Sequence, residues 1–307
     1  MSDQPSTGIR VNKFLSEAGY CSRREADKYV DLGIITINGE KVVMGMKVQP
    51  GDEVRVNDKL IGTKAKSVYI AVNKPQGITC TTDQHIDGNI VDYVNYPERI
   101  FPIGRLDKPS EGLILMTNDG DIVNKILRAG NNHEKEYVVT VDKKIDHNFI
   151  FDMSNGVPIL DTVTNKCKVV QTGPQSFNII LTQGLNRQIR RMCEHFGFRV
   201  RKLKRMRIMN LTLDNIKAGE WRHLTQNEMR ELNGMLAHSH KTAPGYKPEK
   251  TEAVTEPKRR SNNKPLINSN RERNRDHRRN ERGEPKKATY AYTPTKKKKP
   301  NSVKGDN

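Results

Sequence analysis

The sequence predicts an α+β chain: two unequal domains followed by a disordered basic tail. Three observations predict it. Residues 68 to 236 are dominated by strand-like apolar runs with helices between them and no regular strand–helix alternation, which suits a mixed or antiparallel sheet. Residues 9 to 60 hold a separate, compact pattern of two short helices and several short strands. From Lys241 to Asn307, 20 Lys and Arg stand against 8 Asp and Glu, and large aliphatic residues almost vanish.

The tail follows from energetics. So few apolar side chains cannot bury enough surface to offset the entropy of ordering the backbone. Its net +12 is two thirds of the whole chain's +18, and it suits a polyanion. Only 34% of the 307 residues are hydrophobic and 6% aromatic, low for a chain that is globular throughout. No apolar run is long enough to cross a bilayer, and Met1 to Gly8 lacks the apolar stretch of a secretory signal. The expectation is a cytoplasmic protein with no membrane association. It is expected to be a monomer, since no oligomerisation stripe is evident. Cys21, Cys80, Cys167 and Cys193 are scattered and form no Cys-x-x-Cys pair, so free, mostly buried thiols are expected rather than disulfides or zinc.

In the N-terminal unit, Val11, Phe14, Leu15 and Ala18 recur at helical spacing, and Gly19 stops the helix. Ser22 and Glu25 form a capping box for a second helix running through Ala26, Tyr29 and Val30 to Gly33. Ile34 to Ile37 reads as a strand, Asn38-Gly39 as a hairpin turn, Lys41 to Val43 as the return, and Val54 to Val56 as a further strand. Arg10 and Lys13 are placed on the first helix. Arg23 and Arg24 open the second, where backbone N–H groups and the helix dipole also favour phosphate.

In the larger unit, Val68 to Val72 is a strand that stops at Asn73-Lys74-Pro75. Leu113 to Thr117 is another, followed by the turn Asn118-Asp119-Gly120 and a helix from Ile122 to Leu127 ended by Gly130. Tyr137 to Val141 and Phe177 to Leu181 alternate like strands. There is no glycine-rich phosphate loop, so no nucleotide cofactor is suggested.

Two stretches carry chemistry. Phe101 to Leu113 (FPIGRLDKPSEGL) sets Asp107 between Arg105 and Lys108, just before a buried strand. Those cations would hold Asp107 ionised, fit to act as a nucleophile or a base; the alternative is a salt bridge that only stabilises the turn. Gln183 to Gly197 (QGLNRQIRRMCEHFG) reads as a helix capped by Asn186, with Ile189, Met192, Cys193 and Phe196 buried. Arg187, Arg190 and Arg191 share another face, suited to a phosphate backbone or a buried carboxylate, or else simply solvated.

Arg10-x-x-x-Phe-Leu, Ser22-Arg23-Arg24-x-Ala26, Gly33 and the strand ending Ile-Asn-Gly resemble the S4 RNA-binding domain. Gly104-Arg105-Leu106-Asp107 with Gly112-Leu113, Lys135-Glu136-Tyr137, and Arg187-Gln188-Ile189-Arg190 resemble the RNA pseudouridine synthases. The order of the two is that of the RsuA/RluB/RluE/RluF branch. Within it, Asn124 to Tyr137, Met153 to Lys168 and Arg187 to Phe196 are most similar to RluF members, which act on large-subunit ribosomal RNA. Pro109 departs from the Asp common at that place.

Composition sets a flexible N-terminus over 1–8 and the tail over 241–307. The resemblance covers residues 9 to about 236 and implies an S4 domain over 9–66 and a synthase domain over 67–240. It implies isomerisation of a uridine within RNA, with large-subunit ribosomal RNA as substrate, transfer RNA left open, and no cofactor or metal. Asp107 matches the catalytic aspartate, acting at C1′ or on a ribose proton; Arg190 the cation paired with it; Tyr137 the tyrosine that stacks on the target base and assists proton removal at C5. Arg105 resembles the residue that braces the place the base leaves. Leu106, Lys108, Arg187, Gln188 and Ile189 are expected at the RNA surface of this domain, and Arg10, Lys13, Arg23, Arg24 and Lys28 at that of the S4 domain. Lys74-Pro75 and Lys202 to Arg207 are further basic candidates at the cleft edge. The competing readings are a non-catalytic RNA-binding assembly factor, and a glycoside hydrolase using Asp107 and Glu111, which the basic charge and lack of aromatic sugar platforms disfavour.

The tail reading has a direct test. Truncation after Ser239 should weaken RNA binding more at low salt than at high salt in a filter-binding titration. Equal affinity of the two forms at low salt would contradict it.

Overall fold

The computed structural model describes residues 8–62, 66–237 and 239. The predicted tail over 241–307, and the predicted flexible N-terminus apart from Gly8, lie outside them.

The N-terminal unit runs β1 (Ile9–Arg10), α1 (Val11–Glu17), α2 (Arg23–Asp31), β2 (Ile35–Ile37), β3 (Glu40–Lys41), β4 (Lys47–Val48), β5 (Val54–Val56) and β6 (Lys59–Leu60). Strand β1 pairs with β4, and an antiparallel sheet has the order β3-β2-β5-β6. The two helices cover this sheet through Val11, Leu15, Ala26 and Val30, packed with Ile35, Ile37, Val54 and Val56. The capping box forms in full: Glu25 N–H donates to Ser22 Oγ at 3.2 Å, and Ser22 N–H donates to the Glu25 carboxylate at 2.7 Å. Asn38 and Gly39 both take positive φ, the conformation of a two-residue hairpin turn. Arg10 is corrected: it lies in β1 with extended backbone just ahead of α1, not on the helix.

The larger unit runs β7 (Tyr69–Lys74), α3 (Ile90–Val94), β8 (Phe101–Ile103), β9 (Glu111–Thr117), α4 (Gly120–Leu127), a 3-10 turn (Ala129–Asn131) and β10 (Lys135–Val141). It continues through α5 (His147–Asn155), β11 (Pro158–Ile159), β12 (Thr162–Val163), β13 (Lys168–Gly173), β14 (Ser176–Leu181) and α6 (Gln188–His195). Last come β15 (Val200–Ile208), β16 (Leu211–Thr212), β17 (Trp221–His223) and α7 (Gln226–Leu236). A nine-stranded mixed sheet has the order β13-β14-β10-β15-β9-β7-β17, with β16 beside β15 and β8 beside β9.

Every pairing in this sheet is antiparallel except one. Strands β9 and β15 meet in parallel, Glu111 opposite Lys204 and Gly112 opposite Arg205. The sheet is thus two antiparallel halves joined at a short seam. The middle of β9, Leu113 to Met116, is apolar without interruption because both faces are covered. Leu113 and Leu115 enter the core with α4 and α7, whereas Ile114 and Met116 enter the core with α3. A further core, around Phe149, Phe177 and Met192, joins α5 and α6 to the β10–β14 half.

Several expectations change. Strand β7 continues through Asn73 and Lys74, which pair with Leu113 and Gly112. A buried strand accepts these polar residues because each is bonded: Asn73 donates to Ile216 O, and Lys74 Nζ donates to Pro75 O and Ser110 O. Lys74 is therefore enclosed rather than at the cleft edge. Helix α4 begins at Gly120 with Asp119 as cap and ends at Leu127, while Gly130 sits in the 3-10 turn that follows. All four cysteines are free; Cys21, Cys80 and Cys193 are buried and Cys167 is half-buried. Burial pushes the Cys193 thiol up to about 12. No helix among the described residues is long and apolar enough to cross a membrane.

Lys13 links the N-terminal unit to the larger one. Lys13 Nζ donates to Asp121 Oδ1 at 2.9 Å and lies 3.3 Å from Glu17. Asp121 is in the first turn of α4, where a carboxylate also meets the positive end of the helix dipole.

Gly112 is where the seam is least tolerant. Its φ is +107°, and a Cβ there would run into the backbone of Arg205. Gly112→Ala should destabilise the fold by about 2 kcal/mol or more, read as a lower thermal midpoint. An unchanged midpoint would contradict the seam geometry.

Candidate active site

Asp107 stands on the loop between β8 and β9, which opens at the seam. The loop is fixed from several sides. Gly104 turns it at φ +77°. Leu106 is buried, and its N–H donates to Cys80 Sγ at 3.4 Å. Ser110 N–H donates to Asp107 O at 2.9 Å, and Gly77 N–H donates to Lys108 O at 2.8 Å. Beneath the loop, the Lys74 ammonium holds Ser110 O at 2.8 Å. Burial lowers the Lys74 pKa, with Asp107 among the charges opposing that fall.

The opposing wall is α6. Arg190 is 93% buried and reaches across to the loop. One Nη donates to Ser110 Oγ at 2.9 Å and approaches Pro109 O at 3.4 Å; the other donates to Val200 O at 3.2 Å. Its Nε lies 3.9 Å from Asp107 Oδ2, and Arg187 Nη1 lies 3.8 Å from the same oxygen. Both separations are ion pairs too long for hydrogen bonds, so the carboxylate is paired with charge without being capped by either arginine. Burial pulls the Arg190 guanidinium down, Arg187 adds to this, and Asp107 opposes it.

The cations that pair with Asp107 thus come from α6 and the residue just before it. Arg105 and Lys108, which the sequence sets beside it, are both exposed. The helix start is also corrected. Arg187, in left-handed conformation, precedes Gln188, with no side-chain cap; Asn186 instead accepts from Arg191 through its backbone and side-chain oxygens. The three arginines therefore do not form one solvated face. Gln188 and Ile189 are buried, and Gln188 Oε1 accepts from Leu185 N–H at 3.1 Å.

Between these walls lies a cleft of about 460 Å³. It brings together Arg105, Leu106, Asp107, Tyr137, Arg187, Gln188, Ile189 and Arg190 from the residues singled out in the sequence. Lys108 is on the same loop but does not line the cleft, and Arg10, Lys13, Arg23, Arg24 and Lys28 are on the N-terminal unit. Of those five, all but the paired Lys13 are exposed. Tyr137 sits on β10, and the Arg205 guanidinium lies 6.0 Å from its ring centroid.

Two polar groups of the site, Ser110 and Lys135, were not assigned a role from sequence, and Arg205 was named only within the run Lys202 to Arg207 at the cleft edge, whereas it is enclosed. Ser110 takes the Arg190 contact. Lys135 lines the cleft two residues from Tyr137 and is 94% buried. Arg205, 95% buried, donates through Nε to Leu113 O at 2.6 Å. Its Nη2 is buried without a hydrogen-bond partner. Spacing could have flagged Lys135, which shares a strand face with Tyr137; nothing local marks Arg205 within its run of basic residues. Among the described residues no group of His, Cys, Asp and Glu could hold a metal ion.

A fold of this kind, a small basic domain ahead of a sheet whose central cleft holds an aspartate between arginines, has known counterparts. Residues 68–195 match the RNA pseudouridylate synthase family, and residues 9–54 match the S4 domain. The chain belongs to the S4-domain RNA pseudouridine synthases, enzymes that isomerise uridine to pseudouridine in RNA. It is 57% identical over 237 residues to the dual-specificity RNA pseudouridine synthase RluF of Escherichia coli K12, covering 76% of this chain and 82% of that protein. It is 31% identical to the ribosomal large subunit pseudouridine synthase B of Bacillus subtilis, covering 75% and 97%. A crystal structure of a pseudouridylate synthase superposes with a TM-score of 0.55 at 30% identity, covering 73% of this chain and 99% of that one.

The Arg190 contacts carry a prediction. Arg190→Lys keeps a positive charge but cannot hold Ser110 and face Asp107 at once. It should lower kcat about 100-fold while KM changes little, because a misplaced reactive group costs rate more than binding. Steady-state kinetics on an RNA substrate would check this, and an unchanged kcat would contradict it.

Proposed function

We propose that this chain is a site-specific pseudouridine synthase for large-subunit ribosomal RNA, that it works in the cytoplasm as a monomer, and that Asp107 is its catalytic carboxylate. The observation that carries the reading is the Asp107 carboxylate, open to a cleft yet paired at 3.8 and 3.9 Å with Arg187 and Arg190. A charged, accessible and oriented carboxylate is what attack at C1′, or removal of a ribose proton, requires. The name of the Escherichia coli relative supports a second class of RNA substrate as well, with transfer RNA the candidate.

The reaction breaks the N1–C1′ bond, turns the uracil, and joins C5 to C1′. The chain's groups divide the work. Asp107 acts at the sugar. Arg190 and Arg187 pair with it and keep it aimed. Tyr137 stacks on the base, and Arg105, exposed at the cleft mouth, braces the gap the base leaves. The target must first leave its stack, at a cost on the order of a few kcal/mol. Phosphate contacts from Lys108 and from Arg10, Arg23, Arg24 and Lys28 offset that cost and position the RNA without reading its sequence. Lys13 contributes from behind its ion pair with Asp121.

Asp107→Asn keeps size and hydrogen-bonding capacity and removes the charge. It should reduce tritium release from C5-labelled uridine in ribosomal RNA by at least about 1000-fold while leaving RNA affinity near that of wild type. Release at the wild-type rate by the variant would overturn the assignment.

A further inference from the structure

The reaction opens with a step that leaves charge on the base. When the N1–C1′ bond breaks, its electron pair stays with N1. Asp107 makes good the loss at C1′ in one of two ways. Either its oxygen bonds to C1′, or it takes the C2′ proton and the C2′–H pair forms a C1′–C2′ double bond. In both cases the uracil departs as an anion, its charge spread over N1 and the ring carbonyl oxygens. C5 later supplies the pair that rejoins C1′, and the anion is discharged with nothing oxidised or reduced. In an enclosed cleft that anion needs a fixed positive partner.

We infer that this partner is the Arg205 guanidinium. Arg205 on β15 pairs in register with Tyr137 on β10, so their side chains share a face of the sheet. The guanidinium lies 6.0 Å from the Tyr137 ring centroid, and both residues line the cleft that holds Asp107. Tyr137 is the ring assigned to stack on the base, so a charge beside that ring is beside the uracil. The aim of the enclosed side chain is fixed, because Nε donates to Leu113 O at 2.6 Å across the seam. Nη2 is buried with no hydrogen-bond partner.

The other buried cations around Asp107 are already engaged. Lys74 Nζ donates to Pro75 O and Ser110 O, and Lys135 Nζ donates to His133 O and approaches Thr182 O. Arg190 holds Ser110 and faces Asp107, which pairs with Arg187 as well. Among the described residues no carboxylate lies within ion-pair distance of Arg205. Its neighbours register this charge. Burial lowers Lys74 and pushes Lys135 down to about 8, and in both Arg205 adds to the fall. A buried charge that no ion pair balances is costly. A ligand that turns negative beside it, during one step of the reaction, offsets that cost when the charge is needed.

The inference deepens the proposed function and rests on it, and its test separates the two. Full-length wild type, Arg205→Gln and Arg205→Lys are each given RNA carrying uridine or 5-fluorouridine at the target. Loss of the N1-linked base is followed under single turnover by mass analysis of the nucleosides. Fluorine at C5 draws charge out of the ring, so 5-fluorouracil leaves as a more stable anion and needs less help. Gln keeps a donor for Leu113 O without the charge; Lys keeps the charge without the planar fork. Filter binding gives the RNA affinity of each form.

Arg205→Gln should process uridine roughly 100-fold more slowly than wild type, as when one preorganised donor to a developing anion is removed. On 5-fluorouridine the same variant should be slowed only about ten-fold or less, because the leaving group carries its own charge more easily. Arg205→Lys should recover part of the rate and stand about ten-fold below wild type on uridine. Both variants should bind RNA within about two-fold of wild type, which also shows that they are folded. Equal slowing of Arg205→Gln on the two bases would make Arg205 a support of the seam and overturn the inference. So would a wild-type rate of Arg205→Gln on uridine. If wild type converts neither RNA, the proposed function falls, and this inference with it.

Discussion

The site depends on one guanidinium. Arg190 leaves α6, crosses the cleft and binds the β8–β9 loop through Ser110 and Pro109 while its Nε faces Asp107. Burying a charge this deeply is costly unless its protons are satisfied. Here three oxygens accept from its Nη groups, while Nε is buried without a hydrogen-bond partner and faces Asp107 Oδ2 at 3.9 Å. The requirement runs both ways: the loop needs Arg190 to hold its shape, and Arg190 needs the loop's oxygens to be buried. Lys74 does the same from below, so two buried cations, one from each half of the sheet, clamp the Ser110 region.

The seam explains why the aspartate is where it is. Strands β9 and β15 share only a short parallel register, and Gly112 is pressed against Arg205. The loop carrying Asp107 leads directly into this junction, between one antiparallel half built on β7 and β9 and another built on β10, β14 and β15. A cleft at the meeting of two halves can draw its walls from both. Asp107 comes from one, and Tyr137, Lys135, Arg187 and the α6 residue Arg190 from the other.

Much of this was legible in the sequence where the signal is local. The Ser22–Glu25 capping box, the Asn38-Gly39 turn and the continuous apolar run of β9 are written in adjacent residues, and the α+β class with its two domains follows from them. The site motifs were legible through resemblance to a family. What was not legible depends on distant partners. Lys74 reads as a surface base until the carbonyls of Pro75 and Ser110 enclose it. Arg105 and Lys108 read as the partners of Asp107 because they are adjacent, yet Arg187 and Arg190, at the start of α6, supply the pairing. Arg205 is one basic residue in a run of several, and only the sheet register shows which of them turns inward. Asn186 has the chemistry of a helix cap, but the left-handed turn at Arg187 moves the helix start beyond its reach.

The central claim, that this clamped carboxylate does the chemistry on ribosomal RNA, is tested most directly inside cells. Pseudouridines would be mapped at single-nucleotide resolution in the RNA of cells lacking this chain, and of the same cells supplied with wild type or Asp107→Asn. The account predicts a large-subunit ribosomal RNA position that loses its pseudouridine without the chain, regains it with wild type and stays unmodified with the variant. Restoration by the variant, or no position in that RNA responding to wild type, would contradict it.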